Sequence, residues 1–314
     1  MAVPTCNRPE DVGRLLASLA RIRYPRWELL LIDQSDSDET RLLAAAWGAL
    51  IPKIVYVRLE EKNASAARNL AIDCGSGEVL AFIDDDCTVL PDWLDRVSEA
   101  FHREPEANLI FGAVSAANHD PATAFLPTNN LRRERRLRGP LGSLRLNGMG
   151  ASMSLRLRPG RRLKFDLLLG PGARFRSSQD DDYAYRVLAA GGTIFETPTI
   201  EVVHHGARSY AGGRARTKVR DYLYGAGAAH GKLLRCGQLI MIVAIIGRLV
   251  ESIRAIRPHN ALRHQPTRVG GLVMFLQGLR DGYRMPVDRE EMLYRFSGPT
   301  GHAARTGPNF EFSA

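Results

Sequence analysis

The sequence predicts a doubly wound α/β fold: a mostly parallel sheet flanked by helices, followed by a basic, helical C-terminal extension. Three observations carry that expectation. Short apolar runs alternate with segments of helical period along roughly the first two thirds of the chain. Several of those runs end in acids, with Asp33 closing Leu29-Leu30-Leu31-Ile32 and Asp84-Asp85-Asp86 closing Val79-Leu80-Ala81-Phe82-Ile83. Such continuous hydrophobicity describes strands buried on both faces, whose polar residues gather outside the carboxyl end, where open α/β sheets bind ligands.

The chain opens on a very short strand around Val3. Pro9, with Glu10 and Asp11 behind it, then starts a helix whose Val12, Leu15, Leu16 and Leu19 fall at i, i+3, i+4, i+7. So few residues precede Pro4 that a truncated start and a weakened sheet edge are expected. Residues 28–33 form a second strand and 54–59 a third. Ala64–Cys74 is a small-residue helix beginning after Asn63 and carrying Arg68 and Asn69, and Val79–Ile83 is the fourth strand. A helix over 92–102 and a fifth strand over 109–114 follow.

Asp84-Asp85-Asp86 asks for a reason. Strand side chains alternate, so Asp84 and Asp86 share a face and Asp85 takes the other. D-x-D spacing suits one Mg²⁺ or Mn²⁺, ions that take one or two protein carboxylates and leave their other positions to water and phosphates, as of a nucleotide diphosphate. The alternative is an acidic turn capping the helix near Pro91-Asp92-Trp93-Leu94.

The middle of the chain changes character. Arg132, Arg133, Arg135, Arg136 and Arg138 surround Glu134, which reads as a solvated helix face, with an anion site as the second reading. Gly148, Gly150, Ala151 and Ser152 are small enough to let the backbone approach a ligand ahead of a short strand. Gln179-Asp180-Asp181-Asp182-Tyr183 opens a helix. The helix dipole accounts for one or two of these acids and leaves a third for other work. A strand over 201–206 ends in His204 and His205, either of them a metal or phosphate ligand or an ordinary polar residue.

Charge divides the chain. Of a formal +9, residues 1–130 hold 12 Lys/Arg against 20 Asp/Glu, net −8, which leaves 31 against 14, net +17, for residues 131–314. An acidic half with a metal motif suits a cation-bridged nucleotide; a basic half suits an anionic acceptor, a phosphate leaving group or an anionic membrane surface. Nucleic acid is not an expected partner, because the arginines are not interleaved with aromatics and no DNA- or RNA-binding signature occurs. Cys6, Cys74, Cys87 and Cys236 form no C-x-x-C pair and follow no secretory signal, so they are expected to be reduced, mostly buried thiols in a cytoplasmic protein. The longest uncharged apolar stretch, 236–247, is too short to cross a bilayer. In the tail, Val269, Leu272, Val273, Leu276, Leu279 and Tyr283 make a helical stripe flanked by Arg268, Arg280 and Arg284, and apolar residues over 239–246 precede Arg248. Packing against the rest of the chain competes here with peripheral binding at the inner face of the cell membrane, which the basic flanks favour.

Together the motifs resemble a family. Pro4-Thr5-x-Asn7-Arg8-Pro9, Ile32-Asp33, Ala66-Ala67-Arg68-Asn69, Phe82-Ile83-Asp84-Asp85-Asp86 with Pro91-Asp92-Trp93-Leu94, Gln179-Asp180-x-Asp182 and Val203-His204-His205-Gly206 stand in the order seen in family-2 inverting glycosyltransferases of the GT-A fold. The resemblance spans about residues 1–210. It implies a nucleotide-binding part over 1–115, an acceptor and catalytic part over 116–210 and a helical region over 211–314. It further implies that Pro4, Thr5 and Arg8 lie along the nucleotide, Asp33 reads the base, Arg68 holds the nucleotide and Asp85 contacts ribose. Asp84 and Asp86, with His204, would bind the metal, and Asp180 would be the catalytic base. Gly148, Gly150, Ala151, Ser152 and Asp182 would border donor sugar and acceptor, leaving Asp181 to solvent. Gln179 and Gln34 depart from the family's usual acids, each with the neighbouring acid retained.

An inverting transfer needs one base near the acceptor hydroxyl and one electrophile on the departing diphosphate, and the sequence supplies both. The expected partners are a nucleotide-diphosphate sugar and a sugar or lipid-linked acceptor. A nucleotidyltransferase needs a Gly-rich, basic phosphate loop near its start, and a Rossmann dehydrogenase needs G-x-G-x-x-G after its first strand; neither is where it should be. A non-catalytic nucleotide-sugar-binding module is the non-enzyme alternative.

Overall fold

The computed structural model describes residues 1–158, 163–254, 268–295 and 306–313. The elements follow in order as β1 (Ala2–Thr5), α1 (Pro9–Leu19), β2 (Leu29–Asp33), α2 (Glu39–Trp47), β3 (Lys53–Leu59), α3 (Ala64–Cys74), β4 (Val79–Ile83), β5 (Cys87–Val89), α4 (Trp93–Arg103) and β6 (Ala107–Ala116). After them come β7 (Ala124–Phe125), β8 (Arg135–Arg138), α5 (Gly139–Ser143), β9 (Ser152–Arg156), α6 (Gln179–Ala189), β10 (Thr193–His204) and β11 (Arg208–Ser209). The C-terminal region holds α7 (Arg214–Arg235), α8 (Ile240–Arg254), α9 (Arg268–Arg284), β12 (Val287–Asp288), β13 (Leu293–Tyr294) and β14 (Thr306–Ser313).

The predicted doubly wound, mostly parallel sheet is present. Its strands run β14-β3-β2-β1-β4-β9-β6-β10-β5, with β8 paired to β10. The core strands β1 to β4, β6 and β10 are parallel, and β9 lies antiparallel between β4 and β6. Every residue of β2 is buried, as its unbroken apolar run requires. The stripe of α1 sits 0–1% exposed against one face of the sheet, and each such side chain contributes about 1.5–3 kcal/mol. Trp93 and Phe101 of α4 share that core. Ala67 and Ile72 of α3 and Tyr183 and Val187 of α6 cover the opposite face.

From β1 the chain steps out through β2 to β3, then returns to place β4 on the other side of β1. The carboxyl ends of β1 and β4 therefore flank the switch point where such sheets bind ligands. The two strands pair only at Ala2↔Phe82. Pro4, with no N–H to satisfy, falls beyond that ladder, where the strands part and a crevice opens.

Several sequence expectations change. β1 is a central strand, not a weak edge, because the apolar β2 and β4 both pair with it. Helix α2 and strand β5 went unpredicted. The arginines of 131–138 lie on no helix: Arg135–Arg138 form β8 against β10, where Arg135 pairs with the fully buried Glu196 and Arg136 with Glu104. Arg103 reaches Glu134 at 2.9 Å. Glu196 and Glu104 thus occupy two of the five arginines on which an anion site would draw. Of the four cysteines only Cys87 is buried, and Cys74 is exposed. The region after residue 210 is not purely helical, since β14 extends the sheet antiparallel to β3 and β12 pairs with β13.

Helices α7 and α9 pack backbone to backbone. A Cβ at Gly227 would lie 2.1 Å from the carbonyl oxygen of Phe275, and one at Gly278 would lie 2.0 Å from that of Tyr224. Only glycine fits such a crossing. No helix among the described residues is long and apolar enough to cross a membrane.

Candidate active site

The crevice widens into a cavity of about 600 Å³. Pro4, Thr5, Arg8, Arg68, Asp84, Asp85, Asp86, Gly148, Gly150, Ala151, Asp180 and His204 all line it. Three predicted site residues do not. Asp33 is wholly buried behind the wall, accepting hydrogen bonds from the Tyr56 hydroxyl at 2.7 Å, Arg58 Nη1 at 3.2 Å and the Ser35 N–H at 2.9 Å. Ser152 is buried on β9 over Gly112. Asp182 is buried in ion pairs with Arg186 at 3.0 Å and Lys232 at 2.7 Å, which removes it from contact with any acceptor.

The acids at the end of β4 are held by three different elements. Thr5 at the end of β1 donates its hydroxyl to Asp85 at 2.8 Å. Arg8, just before α1, spans Asp85 at 3.0 Å and Asp86 at 3.1 Å. Arg68 of α3 reaches Asp84 at 3.0 Å. Asn63 fixes the start of α3, accepting from the N–H groups of Ser65 and Ala66 while donating to Leu167 O at 2.9 Å. Burial pushes the Asp85 carboxyl up to about 6 against the pull of Arg8. Asp84 is raised as well, by burial first, with Arg68 opposing it and Asp86 adding repulsion. Two acids that resist ionisation despite paired arginines mark a place where more positive charge is favourable.

The histidines separate. His204 Nε2 lies 3.3 Å from Asp86 Oδ1, whereas His205 Nε2 meets the Thr88 hydroxyl at 2.9 Å. Gly206 backs Asp86 so closely that a Cβ there would lie 2.0 Å from its Oδ2. Ligand atoms of Asp86, Cys87 and His204 fall within 4.8 Å of one another. Burial drives the Cys87 thiol far up, so it stays protonated and is a poor ligand. Burial lowers His204, favouring the neutral ring that can ligate, and its buried Nδ1 has no hydrogen-bond partner. Carboxylate oxygens with an imidazole nearby fit a hard divalent cation, for which Asp84, Asp86 and His204 are the residues at hand.

Across the cavity, the acids opening α6 point different ways. Asp180 Oδ2 accepts the Gly150 N–H at 2.7 Å, and a Cβ on Gly150 would sit 2.8 Å from that oxygen. Asp181 lines the cavity and is partly buried there. Burial, then repulsion from Asp180, pushes it up to about 7, with Arg248 opposing the shift. Successive helical residues diverge by about 100°, so the third acid, Asp182, turns into the core.

Sequence reasoning missed a basic wall. Arg208 lies 3.6 Å from Asp86, its buried Nε without a partner, and Lys218 and Tyr222 stand one turn apart on α7. Burial lowers Lys218, with Arg208 reinforcing the shift. Arg248 of α8 completes the wall. The net +17 of this half pointed to such cations without saying which of them turn inward.

The model of "Glycosyl transferase family 2" matches residues 1–159. A succinoglycan biosynthesis protein, ExoM of Rhizobium meliloti (strain 1021), is 30% identical over 242 residues, covering 74% of this chain and 74% of the relative. Among solved structures, S. aureus TarS 1–349 superposes with a TM-score of 0.56 at 16% identity, covering 88% of this chain and 80% of that one. The mannosyltransferase PcManGT of Pyrobaculum calidifontis, in complex with GDP-Man and Mn²⁺, does so with a TM-score of 0.52 at 16% identity over 90% and 71%. The sheet thus has the GT-A architecture of these neighbours, and with half its length matched by the family model the chain belongs to glycosyl transferase family 2.

Proposed function

We propose that this glycosyltransferase is metal-dependent and inverting. It moves a sugar from a nucleotide-diphosphate sugar to an acceptor hydroxyl in the synthesis of an envelope polysaccharide or another glycoconjugate, at the cytoplasmic face of the membrane. One observation carries the reading. The buried acids Asp85 and Asp86, the partly exposed Asp84 beside them and the acid Asp180, held by Gly150 N at 2.7 Å, face one cavity at the switch point of the sheet. The succinoglycan role of the Rhizobium relative and the GDP-Man and Mn²⁺ of the Pyrobaculum structure agree with it.

In this reading Pro4, Thr5, Arg8 and Arg68 border the nucleotide and Asp85 takes the ribose. Asp33 acts from behind the wall through Ser35, Tyr56 and Arg58, which it holds. Asp84, Asp86 and His204 would hold Mg²⁺ or Mn²⁺, which when bound neutralises charge on the diphosphate. Arg208 and Lys218 add positive charge beside the same leaving group, and Tyr222 adds a hydroxyl. Asp180 accepts the proton of the attacking acceptor hydroxyl as the new bond to the anomeric carbon forms and the bond to the nucleoside diphosphate breaks. Gly148, Gly150 and Ala151 leave room for the donor sugar, since none presents a side chain longer than a methyl.

A nucleotide-sugar panel with Mn²⁺ or Mg²⁺ tests this. At least one donor should bind and turn over with the metal present, stop with a chelator and recover on metal addition, and Asp86→Ala should remove turnover with the fold retained. Full turnover in chelator would remove the metal from the proposal.

A further inference from the structure

Asp181 and Arg248 line the same cavity as Asp180. Asp181 follows Asp180 along α6, and Arg248 is the cation that opposes its shift. An acceptor whose hydroxyl reaches Asp180 therefore enters a cavity that carries both. Arg248 belongs to a two-faced helix. Beginning just before α8, Leu239, Ile242, Val243, Ile246 and Val250 recur at i, i+3, i+4, i+7, i+11 and are exposed, Leu239 to 68% and Val243 and Ile246 to 53% each. Met241 is buried on the other side, and Arg248 falls about half a turn from the apolar residues at about 100° per residue. One helix therefore walls the cavity with a cation and shows an apolar stripe outward, a pattern rare on a free surface.

We propose that α8 is the acceptor gate: its outer face lies on an anionic lipid surface, and its inner Arg248 binds the phosphate of a lipid-linked acceptor presented from that surface. Charge decides the occupant. Residues 131–314 carry 31 Lys/Arg against 14 Asp/Glu, so a second copy docked on this face would set two basic halves together, whereas an anionic leaflet complements them. The phosphate class follows from position, because a headgroup phosphate within reach of Arg248 places the attached sugar toward Asp180. The proposal rests on the glycosyl-transfer reading for the role of Asp180, but not for the binding of α8 to lipid.

The test is flotation of the full chain with phosphatidylcholine vesicles, alone, with phosphatidylglycerol, or with phosphatidylglycerol and polyprenyl phosphate. Nucleotide-sugar binding with Mn²⁺ is measured on the same preparations. Wild type should float with phosphatidylglycerol vesicles and gain salt-resistant retention from polyprenyl phosphate. Ile242→Glu/Ile246→Glu, both on the exposed stripe, should cut the bound fraction about tenfold or more with nucleotide binding unchanged. Arg248→Ala should still float but lose the retention that polyprenyl phosphate adds. No flotation, equal binding to neutral and anionic vesicles, or a double variant that floats like wild type would overturn the proposal, as would an Arg248→Ala that keeps the added retention. Self-association of wild type, abolished by the double variant and without flotation, would assign the face to a second copy. Loss of nucleotide binding in wild type with flotation intact would sink the transferase reading and leave α8 on the membrane.

Discussion

Asp180 owes its position to a residue with no side chain. The Gly150 N–H donates to its Oδ2, and a methyl at Gly150 would crowd that oxygen at 2.8 Å. Gly150→Ala should lower kcat by about 10- to 100-fold through a small misplacement of the carboxylate, with donor KM little changed. Steady-state kinetics decide it, and an unchanged kcat would detach Asp180 from Gly150. Asp181 gives a pH signature. Its folded value of about 7 stands above the ordinary range, so between about pH 4 and pH 7 the folded state binds more protons than the unfolded one, and stability falls as pH rises through that window. Asp181→Asn should flatten this slope in denaturant unfolding at several pH values; an unaltered slope would contradict the burial of that carboxyl. At this scale the sequence was informative about residue type and poor about direction. Asp84, Asp85 and Asp86 were legible because acids at a strand end need a reason, whereas Asp180 was singled out among the acids of α6 by the family resemblance. That Asp181 lines the cavity and Asp182 does not was hidden, since helical spacing states divergence without stating which residue faces in.

Between elements, the strongest tie is charge in the core. Lys232 of α7, fully buried, pairs at 2.7 Å with Asp182 of α6 and at 2.7 Å with Asp166. Asp166 also accepts the Tyr294 N–H at 2.8 Å. The C-terminal region thereby grips the helix that carries Asp180. Lys232→Met would leave two buried carboxylates without their shared cation and should cost about 3–5 kcal/mol in denaturant unfolding. A loss below about 1 kcal/mol would mean that the site relaxes or admits water. Strand β4 and helix α3 were read with their observed bounds because apolar runs and an Asn cap are local signals. Strand β8 was misread, because its arginines meet Glu104 and Glu196, partners far along the chain that composition cannot reveal. Helix α7 lies in the stretch read as helical, but its close crossing with α9 was not legible, since glycines that look helix-breaking are what that crossing demands.

Across the whole molecule, the acidic first part and the basic remainder meet at one cavity, which takes Asp84, Asp85 and Asp86 from the first and Arg208, Lys218 and Arg248 from the second. That the sheet is mostly parallel, with acids at its strand ends, was legible from alternation, while the strand order, the switch point and the antiparallel β9, β5 and β14 were not, since these are set by connections and not by pattern. The account stands on Asp180 as the base that works across from the β4 acids. Asp180→Asn keeps size and removes basicity, so kcat should fall by about 10² or more with donor binding nearly unchanged and the fold intact. Transfer by Asp180→Asn at near wild-type rate, alongside an inactive Asp181→Asn, would contradict it and move the base one residue along α6.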